Sequence, residues 1–173
     1  MPDADPAVEP AEQQPEAVAA AVARAEGELF AALPPQGTAI VNVDDVYAPL
    51  WRGMTRARVV GFGFSAAADV RAEGLRFDMD ARGCVARFEI ITPAGRRAIE
   101  LALAGRHNVQ NALGAAAAAL ATGASLEHVA AGLSGMRAVA GRLQFRQATS
   151  GAWLIDDSYN ANPSSVRAAI DVL

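Results

Sequence analysis

Three polar groupings in the second half of the chain carry residue types suited to holding a nucleotide. Asn108 and Asn111 stand three apart at the start of an alanine-rich stretch, and on a helix that spacing puts both side chains on one face. A carboxamide offers a donor and an acceptor side by side, which is what the edge of adenine needs. The same residue type also caps helices, the structural use of an asparagine at such a place. Arg142 lies between two glycine-bearing turns; its guanidinium can grip a phosphate through two parallel hydrogen bonds, or serve only as a surface charge. Farther on, Leu154-Ile155-Asp156-Asp157-Ser158-Tyr159-Asn160-Ala161-Asn162-Pro163 runs from apolar residues into two carboxylates, a hydroxyl, a phenol and two amides. Read as a buried strand delivering polar side chains to its carboxyl end, this stretch sits where open α/β sheets place their ligands. Asp156 and Asp157 can accept hydrogen bonds from ribose hydroxyls there; as plain structure they build an Asx turn ahead of a capped helix. Singly each grouping is a weak signal, and their order is more specific.

Composition removes several other chemistries. All 15 basic residues are arginine and none is lysine. A G-x-x-x-x-G-K-[ST] phosphate loop is therefore absent from the chain, as are a lysine nucleophile and a lysine-derived carbamate. Arginine binds phosphate but does not readily act as a neutral amine. His107 and His128 are the only histidines, too few for a histidine-rich metal site, and His107 reads as a capping or packing residue. One cysteine, Cys84, excludes an intrachain disulfide and a cysteine-based metal cluster. A net charge of −4 provides no electrostatic pull toward nucleic acid or an anionic membrane. No apolar run approaches the roughly 18 residues of a membrane span, and the acidic, proline-bearing start is unlike a signal peptide. A reducing, cytoplasmic setting is the expectation. With 52% hydrophobic residues the chain can build a core, and with aromatics at 6% that core is made mostly of small side chains.

The elements that must position these groups follow from periodicity. Residues 1–14 combine prolines, acids and glutamines without a period and read as a disordered tail. From Pro15, Ala17, Val18, Ala21, Val22, Ala25, Leu29 and Phe30 fall at helical spacing until Leu33-Pro34-Pro35 ends the helix. Thr38–Val43 and Arg58–Phe64 read as short strands, then Val70–Met79, Cys84–Ile91 and Arg97–Leu103 as an antiparallel meander with turns at 80–83 and 92–95. In the middle strand, Val85, Arg87 and Glu89 alternate with Ala86, Phe88 and Ile90, which predicts one wet face. A helix from the Asn108 region to about Ala121, capped by Gly123, precedes one capped by Ser125. A strand at Gln144–Ala148 and the Leu154 stretch follow. The fold class is α/β, with a boundary near 138–141.

The run GRHNVQNALGAAAAAL, then GRLQ, then LIDDSYNANPSSVRAAIDVL resembles the Mur ligase family, as does ELFAALPPQGTAIVNVDD. DDSYNANP points to the branch that adds D-alanyl-D-alanine. The similarity covers Pro15 to Leu173. It implies a partial central ATP-binding domain over 15–138, an α/β core with a small antiparallel section, and over 139–173 the first βα unit of a Rossmann-like C-terminal domain. It also implies an ATP- and Mg2+-dependent ligase of peptidoglycan precursor synthesis, joining D-alanyl-D-alanine to UDP-N-acetylmuramoyl-tripeptide through an acyl phosphate. On this resemblance Asn108, Asn111, Arg142 and Asp157 contact the nucleotide, with Asn111 at adenine, Arg142 near the phosphates and Asp157 at the ribose. Tyr159, Asn160 and Asn162 line the cleft between domains. Glu26 stands where the family pattern has a carbamylated lysine. The chain reads as a fragment, inactive alone, with the phosphate loop, the metal residues and the UDP-binding domain outside it. The missing portion of a split ligase is then a possible partner. The alternative is a non-catalytic nucleotide-binding or interaction remnant of the same fold.

Overall fold

A computed structural model describes residues 14–80, 83–159 and 163–172. Apart from Gln14, the expected tail lies outside them. The centre is a five-stranded sheet in the order β1-β2-β3-β4-β5. Its strands are β1 (Thr38–Asn42), β2 (Arg58–Gly63), β3 (Val70–Asp80), β4 (Gly83–Thr92) and β5 (Gly95–Leu101). The first three run parallel, and β3, β4 and β5 form the antiparallel meander expected from the turn residues. Thr92 closes the β4–β5 turn, its hydroxyl donating to the Gly95 carbonyl at 3.0 Å and accepting from Ala94 N–H at 3.2 Å.

Helix α3 (Arg106–Ala121) buries Val109, Ala112, Leu113, Ala116 and Ala117, a stripe at the i, i+3, i+4, i+7, i+8 spacing of an amphipathic helix. The alanines let its backbone lie close to the sheet, while Leu113 joins the core that also holds Ile90, Ile99 and Leu101, all essentially inaccessible. Burying side chains of that size stabilises by roughly 1.5–3 kcal/mol each. The C-terminal end of α3 closes through Gly123, with Ala124 N–H donating to the Ala119 carbonyl at 3.0 Å, the Schellman pattern. Helix α4 (Leu126–Gly135) packs Leu126, Val129 and Leu133 into the same core. Ser125 is its N-cap, accepting from His128 N–H at 3.2 Å, as expected.

The other side of β1 is covered by α1 (Gln14–Ala31) and α2 (Ala48–Met54). The buried positions of α1 are Ala23 and Gly27, with Phe30 packed beside them, whereas Val18, Val22 and Leu29 are exposed. The small residues let α2 approach, and the Trp51 indole N–H donates to the Ala23 carbonyl at 2.8 Å. The sequence reading contained no α2. Seven residues holding a proline and a glycine are too short to show a helical period, and Trp51 is the one residue that marks the segment as packed.

After α4, residues 136–143 form no helix or strand apart from a single bridge between Ala102 and Arg137. A two-stranded antiparallel ladder, β6 (Gln144–Gln147) with β7 (Trp153–Asp156), leads to α5 (Pro163–Ile170). The ladder leans on the sheet where Phe145 meets Gly83. That contact accounts for one departure from the expected alternation: Val85, on the same face as Gly83, is buried, while Arg87 farther along carries the ion pairs to Asp78 and Glu100. A second correction concerns β7. Expected as a buried strand, it has Leu154 56% exposed, because a four-residue strand in a two-stranded ladder has one neighbour and little to cover its faces.

Candidate functional site

The N-terminus of α3 supplies one wall of the site. Gly105 is the N-cap residue and Asn108 lies within the first turn, so the asparagine is not the cap. The Asn108 side-chain N–H donates to the Ala104 carbonyl at 2.7 Å, which fixes the carboxamide. Asn111, one turn on, is exposed, and among the described residues nothing hydrogen-bonds to its carboxamide. Val109 and Leu113, fully buried on the opposite side, set the rotation of the helix that turns both asparagines out.

The other wall is built from two short segments that hold each other. Gly141 adopts a left-handed φ of 73° and Leu143 one of 45°; for leucine that conformation costs about 1–2 kcal/mol. Leu143 N–H donates to Asp157 Oδ1 at 3.1 Å, and Tyr159 N–H donates to the Gly141 carbonyl at 2.9 Å. Between them the Arg142 guanidinium carbon stands 3.9 Å from the centre of the Tyr159 ring. No carboxylate pairs with Arg142 among the described residues.

These walls enclose a cavity of about 370 Å³ lined by Asn108, Asn111, Arg142, Asp157 and Tyr159, together with His107 and Leu143. A second, more apolar recess of about 330 Å³ lies on the far side of Asn111 and Arg142, lined by Leu103, Ala112, Leu133 and Val139 among others. The two adjacent carboxylates divide their work. Asp157 faces the cavity, whereas Asp156 accepts from the Ser158 hydroxyl at 2.7 Å and from its N–H at 3.3 Å. Those bonds hold Asp156 below the usual carboxylate range, helped by Arg146. Burial lowers the basicity of His107, partly offset by the charge of Asp157, so its ring is neutral at pH 7.

Thus five of the residues singled out from the sequence share one cavity. Asn160 and Asn162 lie outside the described residues. Glu26 is exposed on α1 and does not line the cavity. His107 and Leu143 were not expected as lining residues. His107 could have been found from its place beside Asn108 in the first turn, but nothing in the sequence announces a left-handed leucine. Among the described residues no group of three or more His, Cys, Asp or Glu could hold a metal ion, and no helix is long and apolar enough to cross a membrane. Cys84 offers no nucleophile, since burial and then the charge of Asp78 push its thiol up.

The sequence pattern of the Mur ligase middle domain matches residues 18–119, more than half of the chain. The chain belongs to the Mur ligase family. Among curated relatives, the UDP-N-acetylmuramoyl-tripeptide–D-alanyl-D-alanine ligase of Escherichia coli K12 is 40% identical over 154 residues, which cover 89% of this chain and 34% of that protein. The enzyme of the same name from Haemophilus influenzae is 37% identical over 89% of this chain and 32% of its own length. A crystal structure of MurF from Acinetobacter baumannii superposes with a TM-score of 0.80 at 39% identity, covering 88% of this chain and 32% of that one. The chain therefore spans about a third of the length of the relatives it matches, and the α/β fold with its antiparallel section is that of the Mur ligase middle domain.

Proposed function

We propose that this chain forms the adenosine-side wall of the nucleotide site in an ATP-dependent ligase that joins D-alanyl-D-alanine to UDP-N-acetylmuramoyl-tripeptide in peptidoglycan precursor synthesis. One observation carries the reading: Asn111, Arg142 and Asp157, from three separate segments, converge on one cavity with their hydrogen-bonding groups wholly or partly unused. Each unused group suits a different part of the nucleotide. The Asn111 carboxamide pairs with the adenine edge, whose flat faces fit the apolar recess beside it. The free Asp157 oxygen accepts from a ribose hydroxyl. Arg142, charged and without an ion pair among the described residues, faces the phosphate end.

In the overall reaction ATP transfers a phosphoryl group to the tripeptide carboxylate. The D-alanyl-D-alanine amine then attacks the acyl carbon, and phosphate leaves as the amide forms. The residues described here bind and orient the nucleotide for that sequence. The described residues include no cluster suited to Mg2+. Glu26 is assigned no part in nucleotide binding; standing where the family has a carbamylated lysine, it supplies a carboxylate of like charge.

The choice of branch rests on the extent of the match, since the identities are alike. A diaminopimelate-adding ligase of Geobacillus kaustophilus is 39% identical, but over 76% of this chain. The D-alanyl-D-alanine ligases of E. coli and H. influenzae match 89%. Titration with ADP, followed through the backbone amides of α3 by NMR, tests the nucleotide reading: Asn111→Ala and Arg142→Ala should each weaken binding about tenfold. Unchanged affinity in both would remove it. Assayed alone, the chain should give no amide product from UDP-N-acetylmuramoyl-tripeptide and D-alanyl-D-alanine, because it has no lysine for the phosphates; measured turnover would overturn that expectation.

A further inference from the structure

We propose that Tyr159 is a positioning residue for the phosphate end of the nucleotide: its ring holds the Arg142 guanidinium at the mouth of the cavity. This inference rests on the nucleotide reading above and adds a residue that acts through another. Residues 141–143 and 157–159 grip each other almost residue by residue. Tyr159 N–H reaches the Gly141 carbonyl, the Tyr159 ring lies under Arg142, and Asp157 takes Leu143 N–H. The two backbone contacts set where the 141–143 turn sits. They do not set where the Arg142 side chain points.

That direction is left to the ring. Arg142 is exposed and has no carboxylate or carbonyl partner among the described residues, so its long side chain would otherwise sample many rotamers. The guanidinium carbon at 3.9 Å from the ring centre is within the range of a cation–π contact. Tyr159 itself is 67% exposed, so its ring is not placed there to fill a core. Its use is at the surface, where a flat π-face can hold a cation without neutralising it. A carboxylate in the same position would pair with Arg142 and compete with an incoming phosphate; an aromatic ring orients the charge and leaves its hydrogen bonds free.

The experiment compares ADP with adenosine on the full chain, in the wild type, Tyr159→Phe, Tyr159→Ala, Arg142→Ala and the double alanine variant. Removing a cation–π contact at an exposed site weakens ADP binding by about two- to fivefold in Tyr159→Ala. Adenosine, which has no phosphate, should bind that variant as it binds the wild type. Tyr159→Phe keeps the ring face and should match the wild type with both ligands. In the Arg142→Ala background the Tyr159→Ala change should cost nothing more. The ring-current shift of the Arg142 side-chain protons, present in wild type and Tyr159→Phe and lost in Tyr159→Ala, reports the contact directly, while unchanged circular dichroism shows the fold intact.

Equal losses for adenosine and ADP would mean that the ring acts on the base, and would overturn the proposal. So would additive losses in the double variant, an absent ring-current shift, or a Tyr159→Ala protein that binds ADP normally while Arg142→Ala does not. If Arg142→Ala leaves ADP binding unchanged, or the wild type shows no ADP binding up to about 10 mM, the nucleotide reading itself fails and this inference falls with it.

Discussion

The two walls of the cavity are built on different physical terms. Asn108 and Asn111 stand on α3, whose inner face belongs to a core with residues such as Ile90, Ile99 and Leu101 that solvent does not reach. Arg142, Asp157 and Tyr159 belong to turns at the end of a two-stranded ladder in which Leu154 is largely exposed and Trp153 only partly covered. The first wall inherits its position from a core. The second is positioned by a few polar contacts and one left-handed leucine. A site divided this way has an asparagine wall that stays still and an arginine wall that opens at low cost.

The sharpest test of that contrast is a pair of leucines. Leu113→Ala removes a fully buried side chain beneath the asparagine wall and should destabilise the protein by about 2–5 kcal/mol in urea denaturation. Leu154→Ala, on the exposed ladder, should stay within about 0.5 kcal/mol of wild type. Similar costs at the two positions would mean that β7 is packed as firmly as α3, and the contrast would be lost.

Hydrogen exchange addresses the same difference without a mutation. Amides in β6 and β7 should be protected about two orders of magnitude less than those of β4 and α3, an opening free energy smaller by about 2.7 kcal/mol. Uniform protection would show one cooperative unit with no weak wall.

That contrast also explains what the sequence could and could not show. The helix from the Asn108 region to about Ala121 and the meander with its turns were legible because an alanine-rich run favours helix and turns impose residue types. The site residues were legible as a set because their order matches a family pattern, and chemistry limits which side chains serve it. Burial of β7 was misjudged because Trp153-Leu154-Ile155 reads the same whether or not something covers it. The split between Asp156 and Asp157 was hidden for a related reason: adjacent residues on an extended chain face opposite ways, and only the three-dimensional placement of Ser158 and Leu143 decides which one meets the cavity. Leu143 itself is left-handed because its neighbours hold it there, which no local preference of leucine foretells.

Asp157→Ala separates the walls further. It takes away the acceptor for Leu143 N–H, leaving a strained, buried residue with an unpaired donor. The loss should be about 1–2 kcal/mol, discounted for a carboxylate that is only half buried. It should surface as faster exchange across 141–159, with exchange in β4 and α3 unchanged. If those protected amides shifted equally, Asp157 would be holding the whole fold and not one wall.

The smallest effect lies where the walls meet. His107, at the start of α3, lines the cavity between the walls and also a neighbouring recess whose lining includes Cys84, Arg106, Asp171 and Val172, the last two just beyond α5. Burial lowers the pKa of its ring below the ordinary histidine value, and Asp157 opposes that shift only in part. The unfolded chain therefore binds a proton at a higher pH than the folded one does. Folding stability is then complete above the unfolded value near 6.5 and declines as pH falls through it. Protonation would place a cation beside Arg106 in a partly dry recess. Asp157 is the carboxylate that tempers it, and Cys84, its thiol pushed up by burial, stays neutral throughout. From pH 7.5 to 5.5 the contact between α5 and the start of α3 should loosen, seen as a gradual rise in exchange within α5. His107→Gln keeps the polarity without the titration and should flatten that slope. A slope of the same size in His107→Gln would assign the pH response to the carboxylates, leaving the two walls joined by packing alone.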